Sequence, residues 1–553
     1  MPDVVPSRIT TEAGPDTPLS GGRAFPDAPV NLGQWWPAIV VAALLAVAAF
    51  VRIDGVLDDR TWFDENYVVM ESNGVRFYTP WPLQFTRSAV GLDPTLGQML
   101  ATLAQYDSYP PLVQITVFAL RVVPNQILAV RGLFLVLGLA LIPIVCWGLR
   151  SVMPVRWAAV VAVAVVVSPL VTSTNQQIKW YTFAVVLGTV AGLLVLRLER
   201  DMRWWWALYA GAMALLVHTH YFLTLLVPAH ALLVLGWRRR VLQPFVLSMI
   251  IVTILALPWF LWAFPRQQAL VDWFNTMVLP TMVHNAWTQP LTVGSAAVAY
   301  GYATLALVGL QPSLVASRYG LPLLAGAAWL LFAAARSKDR RERELVALAL
   351  LGVGVSVIGH TAMAVRLHNV IPLKAEYFVT WVPLVLAALV VGVRQLRSPA
   401  LRAGALGVLL GVGAVNTLSF EEPIDQLSEN SLSHYRAVTG WLERFPERET
   451  ALVYRRDRDA KMMNLFYRGD MLQVIQVCPQ TPVWCIAPAI PLAPPSEITR
   501  LVYVSSVRES GTAPAVGWGR PEVVAVVGET RIELAVREQE PTSGVRERRD
   551  GKE

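Results

Sequence analysis

Long apolar runs separated by short basic loops set the pattern of this chain. The stretches 35–51, 157–171, 345–365 and 377–393 are almost free of charge. Each approaches the ~20 residues that an α-helix needs to cross about 30 Å of hydrocarbon. Several such runs exclude a single anchor and predict an α-helical polytopic membrane protein. A long polar segment precedes the first run, and no small-residue cleavage site separates it from Arg52. It is therefore expected to stay as the first span and not to leave as a signal peptide.

The arginines assign the sides. Basic clusters at Arg150/Arg156, Arg197/Arg200/Arg203, 238–240, 336–343 and Arg394/Arg397/Arg402 all favour the cytoplasm. An even number of crossings must then separate each pair, which puts 168–179, 218–221, 265–318 and 366–376 outside. Parity makes 111–123, which is short, holds Arg121 and is bracketed by prolines, a juxtamembrane or re-entrant helix. It also lays 293–310 on the outer surface. The count is about 11 spans, with about 12 or 13 as the alternative, a cytoplasmic N-terminus and an outer C-terminus. The expected location is the plasma (inner) membrane.

Between these runs the organisation is simple. Residues 1–33 read as a disordered cytoplasmic tail and 34–420 as the membrane module. Within that module 53–126 forms a first large outer loop and 265–318 a second. From 421 to 540 charged residues alternate with apolar ones, predicting strands at 451–454, 473–476, 501–504, 523–527 and 531–535 and helices at 433–445 and 459–467. This is a small extracytoplasmic α/β domain, followed by a charged, disordered end at 541–553.

Composition agrees with the bilayer: 55% of residues are hydrophobic and 15% charged. The net charge of +7 sits in the loops, where it reports topology and not nucleic-acid binding. Cys478 and Cys485 flank a short Pro-containing turn. They form a disulfide in an oxidising compartment or remain two thiols. Trp35, Trp36 and the run 204–206 read as aromatic-belt anchors at the membrane interface.

Candidate chemistry lies in the outer segments. Asp64 and Glu65 are adjacent carboxylates set between aromatic residues, where partial desolvation can poise one as a base. The alternative is a solvated loop. His218 and His220, at i and i+2, lack a third ligand at helical spacing. No metal or other cofactor is expected.

Five features in order resemble the C-type glycosyltransferase (GT-C) superfamily, in its protein-mannosyltransferase-like branch, which includes the lipid A aminoarabinose and galacturonic acid transferases. Asp64-Glu65 matches the acidic pair of the family's first outer loop. Asp107-Ser-Tyr109-Pro-Pro-Leu112 is similar to a His-Pro-Pro-Leu segment, with Tyr109 in place of His. Ser168-Pro169 followed by 175–181 resembles a Ser-Gln-Glu-x-Arg-x-Tyr segment, with Gln177 for Glu, Lys179 for Arg, and Tyr181 retained. His218-Thr219-His220-Tyr221 is similar to a Thr-His-Tyr signature. Pro372-Leu-Lys374-Ala-Glu-Tyr377 looks like a basic-x-Tyr element. All five fall outside in the topology deduced from the arginines.

The resemblance implies sugar transfer from a polyprenyl-phosphate donor to an extracytoplasmic hydroxyl, with inversion. Asp64 would be the base and Glu65 would orient the acceptor or support Asp64. Lys179 and Lys374 would bind the lipid phosphate, or else snorkel at the interface. Tyr181, His220 and Tyr377 would contact phosphate or sugar, and Asp107 and Tyr109 would support the first loop. Expected partners are the lipid-linked donor, membrane lipids, and a glycolipid, polysaccharide or protein acceptor. The competing readings are a lipid or solute transporter, and a degenerate transferase that acts as a binding protein.

Overall fold

The computed structural model describes residues 32–57, 63–74, 84–85, 94–107, 109–123, 125–273, 290–309, 320–418, 438–454, 471–475, 498–506, 522–527 and 530–536. Helices dominate. Among the described residues the segment after α1 (Leu32–Leu57), expected as the first outer loop, holds three helices: α2 (Phe63–Ser72), α3 (Leu96–Tyr106) and α4 (Leu112–Ala119). The bundle then runs through α5 (Gln126–Leu149), α6 (Val155–Val166), α7 (Pro169–Gln176), α8 (Tyr181–Arg197), α9 (Arg203–Val217), α10 (Leu226–Trp237) and α11 (Leu242–Trp262). After α12 (Phe264–Trp273) and α13 (Val293–Leu307) come α14 (Gly320–Ala335), α15 (Arg340–Leu367), α16 (Val382–Gln395) and α17 (Pro399–Leu418).

Among the described residues five helices are long and apolar enough to cross a membrane, and α6 with α7 forms one more candidate bent by 60°. Ser168-Pro169 makes that bend, because proline at the start of α7 cannot continue the α6 hydrogen-bond ladder. Arg52 of α1 and Thr172 both donate to the Val166 carbonyl that the break exposes, at 3.3 and 3.1 Å. The helix Leu112–Ala119 with its 3-10 extension to Val122 spans only about 17 Å. It is too short to cross, as the parity argument requires.

Glycines set the closest helix packing. A Cβ at Gly352 would meet the Trp381 ring, and one at Gly392 would meet the Leu330 backbone. Trp381 is fully buried and donates from its indole to Ser356 Oγ at 2.8 Å. Trp206, expected as a belt anchor, is buried and donates to the Glu199 carbonyl at 2.8 Å. Trp204 and Trp205 are exposed as expected.

The basic loops converge on one end of the bundle. Arg341 donates to the Ser151 carbonyl and Arg340 to that of Trp237, both at 2.8 Å. Arg238 reaches the Leu198 carbonyl at 2.8 Å and Glu344 at 3.8 Å, while Arg394 pairs with Glu342.

The C-terminal region is a six-stranded sheet: β2 (Thr450–Tyr454), β3 (Leu472–Ile475), β4 (Arg500–Ser506), β5 (Glu522–Val527) and β6 (Thr530–Val536), all at the sequence-derived positions, joined by β1 (Gln84–Phe85). The order is β1-β3-β2-β4-β6-β5, with β2 parallel to both β3 and β4. Strand β1 belongs to the first outer loop and pairs antiparallel with β3. The loop and the C-terminal region are thus joined by backbone pairing. One sheet face (Leu452, Tyr454, Val502, Val504, Ile532) belongs to the apolar cluster of the bundle, and the other (Ala451, Val453, Leu501, Tyr503, Ala535) forms its own. The expected helix at 433–445 is helical over 438–442 within the described part, and 459–467 lies outside it.

Candidate active site

Helix α2 presents Asp64 and Glu65 in its first turn, where carboxylates are favoured by the exposed amides of a helix start. It ends at Asn73-Gly74, with Gly74 in the left-handed region at φ +84°, the usual glycine stop. The Asp64 side chain lies outside the described residues. Glu65 is fully buried. Its Oε2 accepts from Arg131 Nη2 of α5 at 2.7 Å, and its Oε1 accepts from Arg131 Nε at 3.4 Å and from the Ile178 amide at 2.9 Å. One carboxylate therefore ties the first loop to α5 and to the segment that carries Lys179.

That segment, 177–180, runs from the end of α7 into α8. Lys179 is largely buried, with its Nζ 4.9 Å from the Tyr181 ring centroid. The next residue, Trp180, opens an aromatic cluster that gathers the other motifs. Its ring lies 4.1 Å from His220 and 5.6 Å from Tyr377, nearly parallel to the latter at 10°. His220 is also 5.4 Å from Tyr109 and 5.5 Å from Tyr377. Tyr377 lies on the 3-10 helix Ala375–Trp381, directly after Lys374. Four motifs from distant parts of the chain thus share one cluster, and Glu65 attaches the fifth through the Ile178 amide.

His220 caps the 3-10 helix Tyr221–Leu225. Its Nδ1 accepts from the Phe222 amide at 3.2 Å, so the ring proton sits on Nε2. Burial, then the nearby His360 and Lys179, hold His220 well below the ordinary histidine range. It is a neutral ring that offers one N–H.

Three residues of the site escaped the motif reading. Arg131 is the partner of Glu65, and a lone arginine inside an otherwise apolar helix was the available signal. His360 of α15 stacks on Tyr377 at 5.7 Å, and a lone histidine in a long apolar helix gave the same kind of signal. Trp180 stood inside the third motif without an assigned role. Trp180 Nε1 and His360 Nδ1 are buried and have no hydrogen-bond partner among the described residues. Both atoms are therefore free, among the described residues, to hydrogen-bond a ligand.

Asp107 is brought to the other end of α2, where it accepts from Gln114 Nε2 at 3.0 Å. Described parts of the segment 265–318 contact this region. Gln267 of α12 donates to the Tyr109 carbonyl at 2.9 Å, and the Leu291 amide donates to that of His368 at 3.1 Å. Helix α13 packs beside the Ala375–Trp381 segment. Cys478 and Cys485 lie outside the described residues, and Cys146 of α5 is a free thiol.

No protein-family model matches the sequence, and no curated relative does. Among solved structures, ArnT from Cupriavidus metallidurans in the apo state superposes with a TM-score of 0.51 at 13% identity, over 91% of this chain and 98% of ArnT. The chain has the GT-C fold. Weaker likenesses are to the arabinofuranosyltransferase AftD from Mycobacteria (TM-score 0.43, 15% identity, 92% of this chain and 40% of AftD). The Archaeoglobus fulgidus oligosaccharyltransferase with Zn and sulfate gives a TM-score of 0.46 at 12% identity, over 85% of this chain and 68% of that one. The likeness extends over 98% of the length of ArnT.

Proposed function

We propose that this protein is an integral membrane glycosyltransferase that moves a sugar from a polyprenyl-phosphate carrier to an acceptor hydroxyl. The observation that carries the reading is the convergence of four motif segments, with the fifth attached through Glu65, on a cluster holding two buried polar atoms that have no partner among the described residues. With the basic end in the cytoplasm, the N-terminus faces inside, and the site and the C-terminal sheet face outside.

Asp64 takes the proton from the acceptor hydroxyl as its oxygen bonds to the anomeric carbon. The bond from that carbon to the phosphate oxygen breaks in the same displacement, which inverts the centre, and the electron pair leaves on polyprenyl phosphate. A phosphate departs as a stable anion, so no general acid or metal is required. Lys179 and Lys374 supply positive charge to the phosphate, and the His220 Nε2–H supplies a donor. Glu65, held by Arg131 and the Ile178 amide, supports the Asp64 turn. The acceptor is a glycolipid, polysaccharide or protein hydroxyl, and the β1–β3 pairing gives the C-terminal sheet a direct hold on the loop beside it.

The test is transfer from radiolabelled polyprenyl-phosphate sugars in membranes with matched expression of wild type and Asp64→Asn. Donor consumption by wild type, with binding but no turnover in the variant, supports the assignment, and the labelled product identifies the acceptor. Equal behaviour with a competent donor would remove Asp64 as base and bring the transporter and degenerate readings forward.

A further inference from the structure

Two arginines at the basic end of the bundle are held unlike their neighbours. Arg238, Arg240, Arg340 and Arg394 face carboxylates, whereas Arg150 and Arg197 lie over one indole. The guanidinium of Arg197, the last residue of α8, is 4.3 Å from the Trp147 ring centroid, and that of Arg150, directly after α5, is 5.6 Å from it. Trp147 lies in the last turn of α5 and is half-buried. It stacks on the exposed Trp205 of α9, with ring centroids 5.6 Å apart and planes 28° from parallel.

This arrangement leaves donors available. A guanidinium attracted to a ring face keeps its N–H groups at its own edge, in a fixed fork. Arg197 Nη1 is buried and has no hydrogen-bond partner among the described residues. Arg341 of α15 brings a third cation, because its Nη1 donates to the Ser151 carbonyl at 2.8 Å, in the residue next to Arg150. Arg150 and Arg341 both act electrostatically on Arg197. Like charges gathered in this way repel, and an anion among them removes the repulsion. The nearby carboxylates are engaged elsewhere: Glu199 accepts from Arg240 at 2.8 Å, and Asp339 accepts from the Arg341 amide at 2.8 Å.

We propose that Arg150, Arg197 and Arg341 form a cytoplasmic binding site for the phosphate headgroup of an anionic lipid, with Trp147 and Trp205 at its membrane edge. Paired indoles at the ends of spanning helices sit at headgroup depth. The guanidinium groups over Trp147 are then level with the lipid phosphates. A planar fork can donate to two phosphate oxygens at once, and basic recesses between helices on the cytoplasmic side hold anionic headgroups. None of the five residues belongs to the motif segments of the transferase reading, so the site stands or falls without it.

The experiment uses the full-length chain in nanodiscs of phosphatidylcholine, with and without phosphatidylglycerol as the probe. Wild type is expected to melt at a higher temperature when phosphatidylglycerol is present and to retain that lipid in native mass spectra. The double variant Arg150→Gln, Arg197→Gln should bind phosphatidylglycerol roughly 10-fold or more weakly. Should it fail to fold, Arg150→Gln alone changes an exposed side chain and should weaken binding by about fivefold. Arg240→Gln removes a charge from the same end but outside the Trp147 cluster, and should leave binding within about twofold of wild type. Equal losses in Arg150→Gln and Arg240→Gln would reduce the attraction to a diffuse one and overturn the site. Wild-type binding in the double variant would overturn it as well. Excess inorganic phosphate tests the other source of the anion. It should leave the lipid bound, and displacement of the lipid would assign the arginines to a soluble phosphate and overturn the lipid site.

Discussion

The two ends of the helical bundle hold the same kinds of charged residue in opposite ways. At the basic end three glutamates each meet two guanidinium groups or a guanidinium and a hydroxyl. Glu199 faces Arg238 and Arg240, Glu344 faces Arg238 and Arg340, and Glu342 accepts from Arg394 and Ser337. Arg240 and Arg340 remain 62% and 60% exposed, so water screens much of the network. At the site end Glu65 is fully buried against Arg131 and the Ile178 amide. Charge alone does not separate a scaffold from a site. What separates them here is desolvation.

The contrast can be broken most strongly at Asp64. Its change to Asn should lower kcat by about 10³-fold, within the range expected for loss of a general base, with donor binding retained, as read from single-turnover and binding assays. Next comes the buried pair. Arg131→Leu takes the guanidinium away from the buried Glu65 carboxylate, which should cost about 3–5 kcal/mol and lower the melting temperature sharply. Arg131→Lys should recover only part of that, because an ammonium cannot span both carboxylate oxygens.

His220→Ala should lower turnover by roughly 10- to 100-fold through loss of one donor to the leaving phosphate. Because burial keeps His220 neutral far below the ordinary histidine range, wild-type turnover should show no acid limb from this ring near pH 6.5. A limb there that His220→Asn abolishes would contradict the neutral donor. The smallest effect belongs to the basic end. Arg240→Gln should change stability by less than about 1 kcal/mol, as exposed ion pairs do, and a large loss there would erase the distinction between the two ends.

Much of this was legible before any coordinates. The apolar runs gave the helices, the alternating segments after residue 450 gave five strands at their observed positions, and the ordered motifs picked out residues that gather in one cluster. The misses share a cause. Trp206 looked like a belt residue because neighbouring tryptophans share a composition, whereas burial depends on which side of α9 each one faces. The first outer loop looked featureless because α2 and α3 are short, and short helices are stabilised by packing that a local pattern does not contain. Strand β1 is two residues long and exists only because β3 offers an edge.

Features that repeat along the chain were set by sequence: span-length apolar runs, the basic loops between them, and the period-2 strands. These are local because hydrocarbon thickness and strand pleat act on consecutive residues. Tertiary structure alone decided that Glu65 meets Arg131 and the Ile178 amide, that His220 holds its proton on Nε2, and that Trp180, His220 and Tyr377 share one cluster. Each depends on partners from separate elements, and the energy of a buried charge is set by those partners and by the absence of water, neither of which is written at any single position.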